Sequence, residues 1–215
     1  MLKFISSQEG KILTFGILLL LAYLGGIIGT YLFSVDDANN LVVMTVTNFL
    51  FGRAAGISYG FSVEFADLLI IMANIIIELI TVMLVYPLFV FSWKRSLEIK
   101  GLKNFFSKVK ELRSRYSSLF EKYGKYGLFL FVWFPFWMTG PVVGSMIGFL
   151  IGIKHYHTMV IVIMGTSLAI IVWTYFLKEL ISLLNQLSAY APHILLGLFI
   201  VIAVVFKFLK RENRF

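Results

Sequence analysis

The run from residue 12 to residue 33, ILTFGILLLLAYLGGIIGTYLF, holds no charged side chain. A helix needs ~20 apolar residues to cross a hydrocarbon layer, whereas a secretory leader has a shorter apolar core that ends in a small-residue cleavage site. The run is therefore read as an uncleaved first membrane span. Composition extends the conclusion to the whole chain: 60% of the 215 residues are hydrophobic and 14% are charged, with a mean hydropathy of +0.91. Such a chain cannot hide its apolar surface in a water-soluble core, and it reads as a polytopic membrane protein. The absence of cysteine excludes disulfides, thiol nucleophiles and thiolate metal sites.

Along the chain, the residues from Asp36 to Asn40 read as a short acidic turn, and 41–61 as an apolar piece broken at Gly52 and Arg53. A long helical pattern covers 63–91 and is predicted to end near Pro87 and Trp93. Residues 94–125 hold ten Lys or Arg against three Glu. Within them Leu102, Phe105, Phe106, Val109, Leu112, Tyr116, Leu119, Phe120 and Tyr123 recur at helical spacing, the pattern of an amphipathic helix lying on a membrane surface. A second broken apolar piece covers 127–152, a span 155–177, a polar turn begins at Lys178, and a last span runs over 193–209.

The two broken pieces are related. In PFWMTGPVVGSMIGF (135–149), Gly140, Gly144, Gly148 and Phe149 repeat, 88 positions on, the frame of Gly52, Gly56, Gly60 and Phe61. Lys and Arg near span ends mark the cytoplasmic side. If both broken pieces crossed fully, the N-terminal Lys3 and Lys11 would lie opposite the basic segment 94–125. If each enters and returns on one side, the N-terminus, the basic segment and the C-terminal Lys210, Arg211 and Arg214 are all cytoplasmic. The expectation is an all-α single membrane domain with four full spans, one cytoplasmic surface helix and two re-entrant helical hairpins. Repeat 1 (about 41–91) and repeat 2 (about 127–178) then form an inverted-topology repeat. Re-entrant backbone is tolerated only where it is buried in protein or lines a wet cavity, and in transporters paired broken helices mark the substrate site. The plainer reading of such glycines, close helix packing, applies to Gly25 and Gly29 in the first span.

The strongest chemical constellation is predicted on the span 63–91, where Glu64, Asp67, Asn74 and Glu78 share one helical face. Acids on a membrane helix are costly unless that face looks into protein or water. Glu64 and Asp67 fall near the outer end, where they can be wetted. Glu78 lies near mid-span and is the candidate proton-coupling site, with Asp67 and Glu64 in support. Arg53, at the tip of the first hairpin, can hold a phosphate head group bidentately, with free backbone amides as further donors. It can equally pair with Glu78 or Asp67, and the two readings stand together if substrate displaces the carboxylate. Eighty-eight positions on, Glu64, Asp67, Asn74 and Glu78 become Gly152, His155, Val162 and Thr166, so repeat 2 is expected to supply scaffold and backbone groups through Thr139, Gly140 and Gly144. His155 and His157 are two apart, point away from each other on a helix, and read as interfacial residues with no metal site, a proton relay by one of them being the lesser alternative.

The stretch KYGKYGLFLFVWFPFWMTGPVVGSMIGFLIG resembles the second signature of the small multidrug export family, a branch of the DedA-like superfamily, through Tyr126, Gly127, Pro135, Thr139, Gly140 and Gly144. GRAAGISYG is similar to that family's Glu-Leu-Arg-Gly-Ala-Ile-Pro signature, with Arg53 on its arginine. The likeness covers about 41–178. The signature's glutamate and proline are not kept here, and FWMTGPVVG lacks the arginine that DedA proteins carry. The resemblance implies a transporter or lipid translocase, with the DedA branch linked to recycling of undecaprenyl phosphate and to the proton-motive force.

The expected function is thus a secondary, proton-coupled transporter of an anionic amphiphile such as a polyprenyl phosphate or phospholipid. Export of cationic compounds is the alternative, and a non-transporting membrane organiser the reading from another class. The expected setting is a bacterial-type inner membrane with both termini cytoplasmic. Expected partners are anionic inner-leaflet lipids on 94–125, the amphiphilic substrate and protons, with homo-oligomerisation open and no nucleic acid. No phosphate loop, nucleophile elbow or paired-His helix is present, so neither an enzyme nor a cofactor is expected.

Overall fold

The computed structural model describes residues 7–96, 117–133, 140–185, 193 and 196–201. Seven helices account for nearly all of them: α1 (Gln8–Tyr31), α2 (Val35–Phe51), α3 (Arg53–Ser62), α4 (Asp67–Ser96), α5 (Ser117–Trp133), α6 (Gly140–Leu150) and α7 (His155–Asn185). Three of these, α1, α4 and α7, are long and apolar enough to cross a membrane. They turn large apolar side chains outward, Leu18, Ile28, Leu68 and Met164 among them, which is the surface a bilayer solvates and water does not. The chain is a multi-pass membrane protein. The span expected at 193–209, the basic surface helix and the tip of the second broken piece fall largely or wholly outside the described residues.

Both broken pieces form helical hairpins. In the first, α2 and α3 join at Gly52, whose φ of 88° lies in the left-handed region that costs other residues strain. The arms run antiparallel, since the Tyr59 hydroxyl donates to Asn40 Oδ1 at 3.1 Å while Gly60 lies against Met44 and Gly56 against Asn48. In the second, Gly144 of α6 lies against Val132 of α5 and Gly148 against Leu128.

The 88-residue offset continues in the backbone beyond each hairpin. The Phe65 N–H donates to Gly60 O at 3.0 Å and Glu64 N–H to Phe61 O at 3.2 Å; the Ile153 N–H donates to Gly148 O at 2.9 Å and Gly152 N–H to Phe149 O at 3.0 Å. These two bonds define the Schellman helix ending, in which the residue after the last turn is left-handed. That residue is Glu64 (φ 59°) in the first case and Gly152 (φ 87°) in the second. A long helix then restarts at Asp67 and at His155, again 88 apart.

Four expectations are corrected. Asp36 to Asn40 form the first turns of α2, because the Ser34 side chain accepts from the Asp37 N–H and the two aspartates favour a helix N-terminus. Residues 63–66 form the turn after α3, so Glu64 does not share the helical face of Asp67, Asn74 and Glu78. The helix α4, expected to end near Pro87 and Trp93, passes through Pro87 unbroken and runs just beyond Trp93, to Ser96. Proline has no N–H to give the carbonyl four residues back, here Met83, and α1 packs against Met83 through Gly16. A Cβ on Gly16 would lie 3.2 Å from the Met83 carbonyl oxygen and 2.8 Å from Met83 Cβ. Lastly, Lys178 and Glu179 belong to α7, which runs on to Asn185.

The described chain divides into two compact units, one of residues 7–22, 78–133 and 140–167, the other of 23–77 and 168–201. In the first, Val82, Tyr86 and Val90 of α4 pack with Leu128 and Val132 of α5 and Met159 and Val162 of α7. In the second, Ile57 of α3, Ile70 of α4 and Leu177 of α7 form the core. Each unit holds one hairpin and one polar link between α4 and α7.

Candidate functional site

In the unit that holds the first hairpin, the break at Gly52 makes Arg53 the first residue of α3, and its side chain is only 4% exposed. In this first turn the Ala55 and Gly56 N–H groups both donate to the Gly52 carbonyl at 3.1 Å, those of Arg53 and Ala54 precede the first helical bond, and the aligned peptide dipoles add positive potential there. A buried guanidinium at such an end suits an anion with several oxygens, phosphate above all.

Below that tip lies a buried amide pair. The Asn48 Nδ2 donates to Asn74 Oδ1 at 2.5 Å, and Asn74 Nδ2 donates to the Ile70 carbonyl at 2.7 Å. The pair links α2 to α4 across α3, and only a residue without a side chain fits between them. A Cβ on Gly56 would lie 2.7 Å from both Asn48 Cβ and Asn74 Oδ1. Ser58, on the same short helix, is fully buried, and its hydroxyl has no hydrogen-bond partner. The structure thus gathers Gly52, Arg53, Gly56 and Asn74 in one unit and adds Asn48 and Ser58, which sequence reasoning missed. At the far side of the unit, Asp67 Oδ2 accepts from Lys178 Nζ at 2.5 Å, with both side chains partly exposed. Glu64 is exposed in its turn.

In the other unit, Glu78 is 8% exposed on α4, one helical turn on from Asn74. Its repeat counterpart Thr166 is 1% exposed, and its hydroxyl has no hydrogen-bond partner. Gly140 is buried at the start of α6, and Gly144 is pressed on Val132; Thr139 falls outside the described residues. The same unit holds an array that the sequence reading passed over. His155 does not simply face an interface: its Nε2 lies 3.3 Å from Glu9 Oε1 on α1, and its Nδ1 lies 2.6 Å from the Tyr86 hydroxyl on α4. The one advance signal was that His155 stands 88 positions after Asp67. His157 is exposed and points elsewhere.

A family profile described as "putative small multi-drug export protein" matches residues 53–172, more than half of the 215-residue chain. The match opens on Arg53 and takes in the second hairpin. No curated protein and no solved structure matches the chain.

Proposed function

The chain belongs to the small multi-drug export family, and on that premise we propose that it is a proton-coupled secondary transporter of the DedA-like kind that moves an anionic amphiphile, a polyprenyl phosphate or a phospholipid, across a bacterial inner membrane. The observation that carries this reading is the buried Arg53 at the start of α3. An arginine inside a membrane protein costs several kcal/mol unless it has work there, and its planar fork matches phosphate oxygens. Two hairpins built on one repeat support entry from opposite faces, which makes the repeat an inverted one and provides alternating access by movement of one half against the other. Under this reading Arg53, Gly52, Gly56 and Asn74 border the head group, Gly140, Gly144 and Thr139 form the uncharged half of the path, and Glu78, aided by Asp67, exchanges the proton. Charge placement puts the N-terminus and the basic segment 94–125 on the cytoplasmic side, the latter on anionic lipid.

A second reading follows from the family description and from Glu78: export of lipophilic cations, with the buried carboxylate as counter-ion and Arg53 structural. Reconstituted vesicles separate the two. Fluorescent phosphatidylglycerol crossing the bilayer under a pH gradient, lost in Arg53→Ala, supports the first. Uptake of tetraphenylphosphonium lost in Glu78→Gln and kept in Arg53→Ala supports the second. Flux of neither probe refutes transport and leaves a membrane-organising role.

A further inference from the structure

We propose that the Glu9–His155–Tyr86 array is a proton-binding site, in which His155 takes up a proton and passes the change to α4 through Tyr86. The proposal rests on the proton-coupled reading above and deepens it. Three helices supply the array: Glu9 from the first turn of α1, His155 from the first position of α7, Tyr86 from deep within α4. Glu9 is 7% exposed and Tyr86 fully buried, while the His155 side chain keeps 23% of its surface exposed, so the ring can reach protons from outside while both its partners are held in the protein.

The contacts fix the hydrogen on one ring nitrogen and leave the other to the protonation state. A carboxylate only accepts, so the 3.3 Å contact between Glu9 Oε1 and His155 Nε2 places a hydrogen on Nε2. In neutral imidazole the other nitrogen is then an acceptor, and the Tyr86 hydroxyl donates to Nδ1 across 2.6 Å. Every donor and acceptor facing the ring is used, with a net charge of −1 on the array. Proton uptake places the new hydrogen on Nδ1 and changes no other covalent bond. The array becomes neutral, a carboxylate beside an imidazolium, but Nδ1 now donates. The Tyr86 hydroxyl must therefore turn its own hydrogen to a different acceptor. Since Tyr86 is part of the packed core with Val82, Val90 and Met159, that reversal acts on α4, the helix that also carries Glu78.

Phe149 of α6 also stacks on the ring, at a centroid distance of 5.7 Å. On the elements around it, Lys11, Lys125, Tyr126, Lys154, Tyr156 and His157 are exposed. The repeat sharpens the contrast. Asp67 is the counterpart of His155 and is also joined to a distant helix, through Lys178. The same position therefore holds a carboxylate–ammonium link in repeat 1 and a carboxylate–imidazole–phenol one in repeat 2.

The chain has three histidines, which makes the test direct. Full-length protein labelled with 15N-histidine is placed in nanodiscs and its ring nitrogens are followed by NMR from pH 5 to 9, with His157→Gln and His193→Gln used for assignment. His155 is expected as the Nε2–H tautomer at high pH, gaining the Nδ1 proton in one step. In the double variant Glu9→Ala/Tyr86→Phe, which takes both polar partners from the ring, the single-tautomer preference should be lost. An Nδ1–H tautomer in the unmodified protein, or the same tautomer preference in the double variant, overturns the proposal. In vesicles, His155→Gln should lose at least tenfold of the acceleration that a pH gradient gives to fluorescent phosphatidylglycerol crossing. A partner-dependent tautomer and proton uptake at His155 in a protein that shows no gradient-driven flux would uphold the proton site and refute the transport reading.

Discussion

Replacing Gly56 by alanine tests the packing on which the first hairpin depends. The new methyl carbon would sit 2.7 Å from Asn48 Cβ, 2.7 Å from Asn74 Oδ1 and 3.2 Å from Asn48 Cα, where ordinary contacts begin near 3.4 Å. Two of these three atoms belong to the backbone or its first carbon and cannot swing aside. The arms of the hairpin must part by roughly 0.7 Å, an overpacking that costs ~1–3 kcal/mol. The methyl group also displaces Asn74 Oδ1, the acceptor of the Asn48–Asn74 bond, and if the amide turns away, leaving buried amides unsatisfied costs ~1–3 kcal/mol more. Alanine returns ~0.5–1 kcal/mol through its better helix propensity. The net loss is about 1–5 kcal/mol, which at ~2–4 °C per kcal/mol lowers Tm by roughly 2–20 °C. The measurement is a thermal melt of purified full-length protein in detergent, followed by tryptophan fluorescence and by retention of a single species on size exclusion. Gly26→Ala is the control, since a Cβ there meets nothing within 4 Å; it should melt at or slightly above the parent. Asn74→Ala should add less in the Gly56→Ala background than alone, because the clash partner is gone. A Gly56→Ala protein that melts as high as Gly26→Ala refutes the reasoning.

Further outcomes follow from the repeat and from Pro87. Glu64→Gly relieves a left-handed residue and should stabilise by about 1 kcal/mol, whereas Gly152→Ala, at the equivalent position, should cost about as much; equal melts for both variants would contradict the shared Schellman ending. Gly16→Ala forces a methyl group against the Met83 backbone and should lower stability by ~1–3 kcal/mol, read by the same melt; a neutral result would mean that α1 does not dock there.

How far the sequence revealed this arrangement can be followed residue by residue. The glycine frames at Gly52, Gly56 and Gly60 and at Gly140, Gly144 and Gly148 located both hairpins, because a backbone that must reverse tightly or meet another backbone leaves few alternatives to glycine. The same offset foreshadowed the helix starts at Asp67 and His155. It concealed the left-handed turn of repeat 1, because Glu64 stands where repeat 2 has Gly152, and nothing local announces a strained glutamate. Asp36 to Asn40 look like a turn by composition and become helix through the Ser34 cap. Pro87 looks like a terminus, yet the helix continues past it, with α1 packed at the affected carbonyl through Gly16. Arg53 and the acidic face of α4 were legible from charge in an apolar setting. The Glu9–His155–Tyr86 array was not, because its members come from three helices, Tyr86 and His155 being 69 residues apart, and each taken singly reads as an interfacial or core residue.

The account depends most on the two hairpins opening to opposite sides of the membrane. The chain has no cysteine, so a single one can be introduced at Asp37, exposed in the first turn of α2, or at Lys108 in the basic segment, and labelled in intact cells with an impermeant maleimide before and after the membrane is opened. The account predicts that Asp37→Cys labels from outside and Lys108→Cys only once the inner face is accessible. Labelling of both from the same side would contradict it.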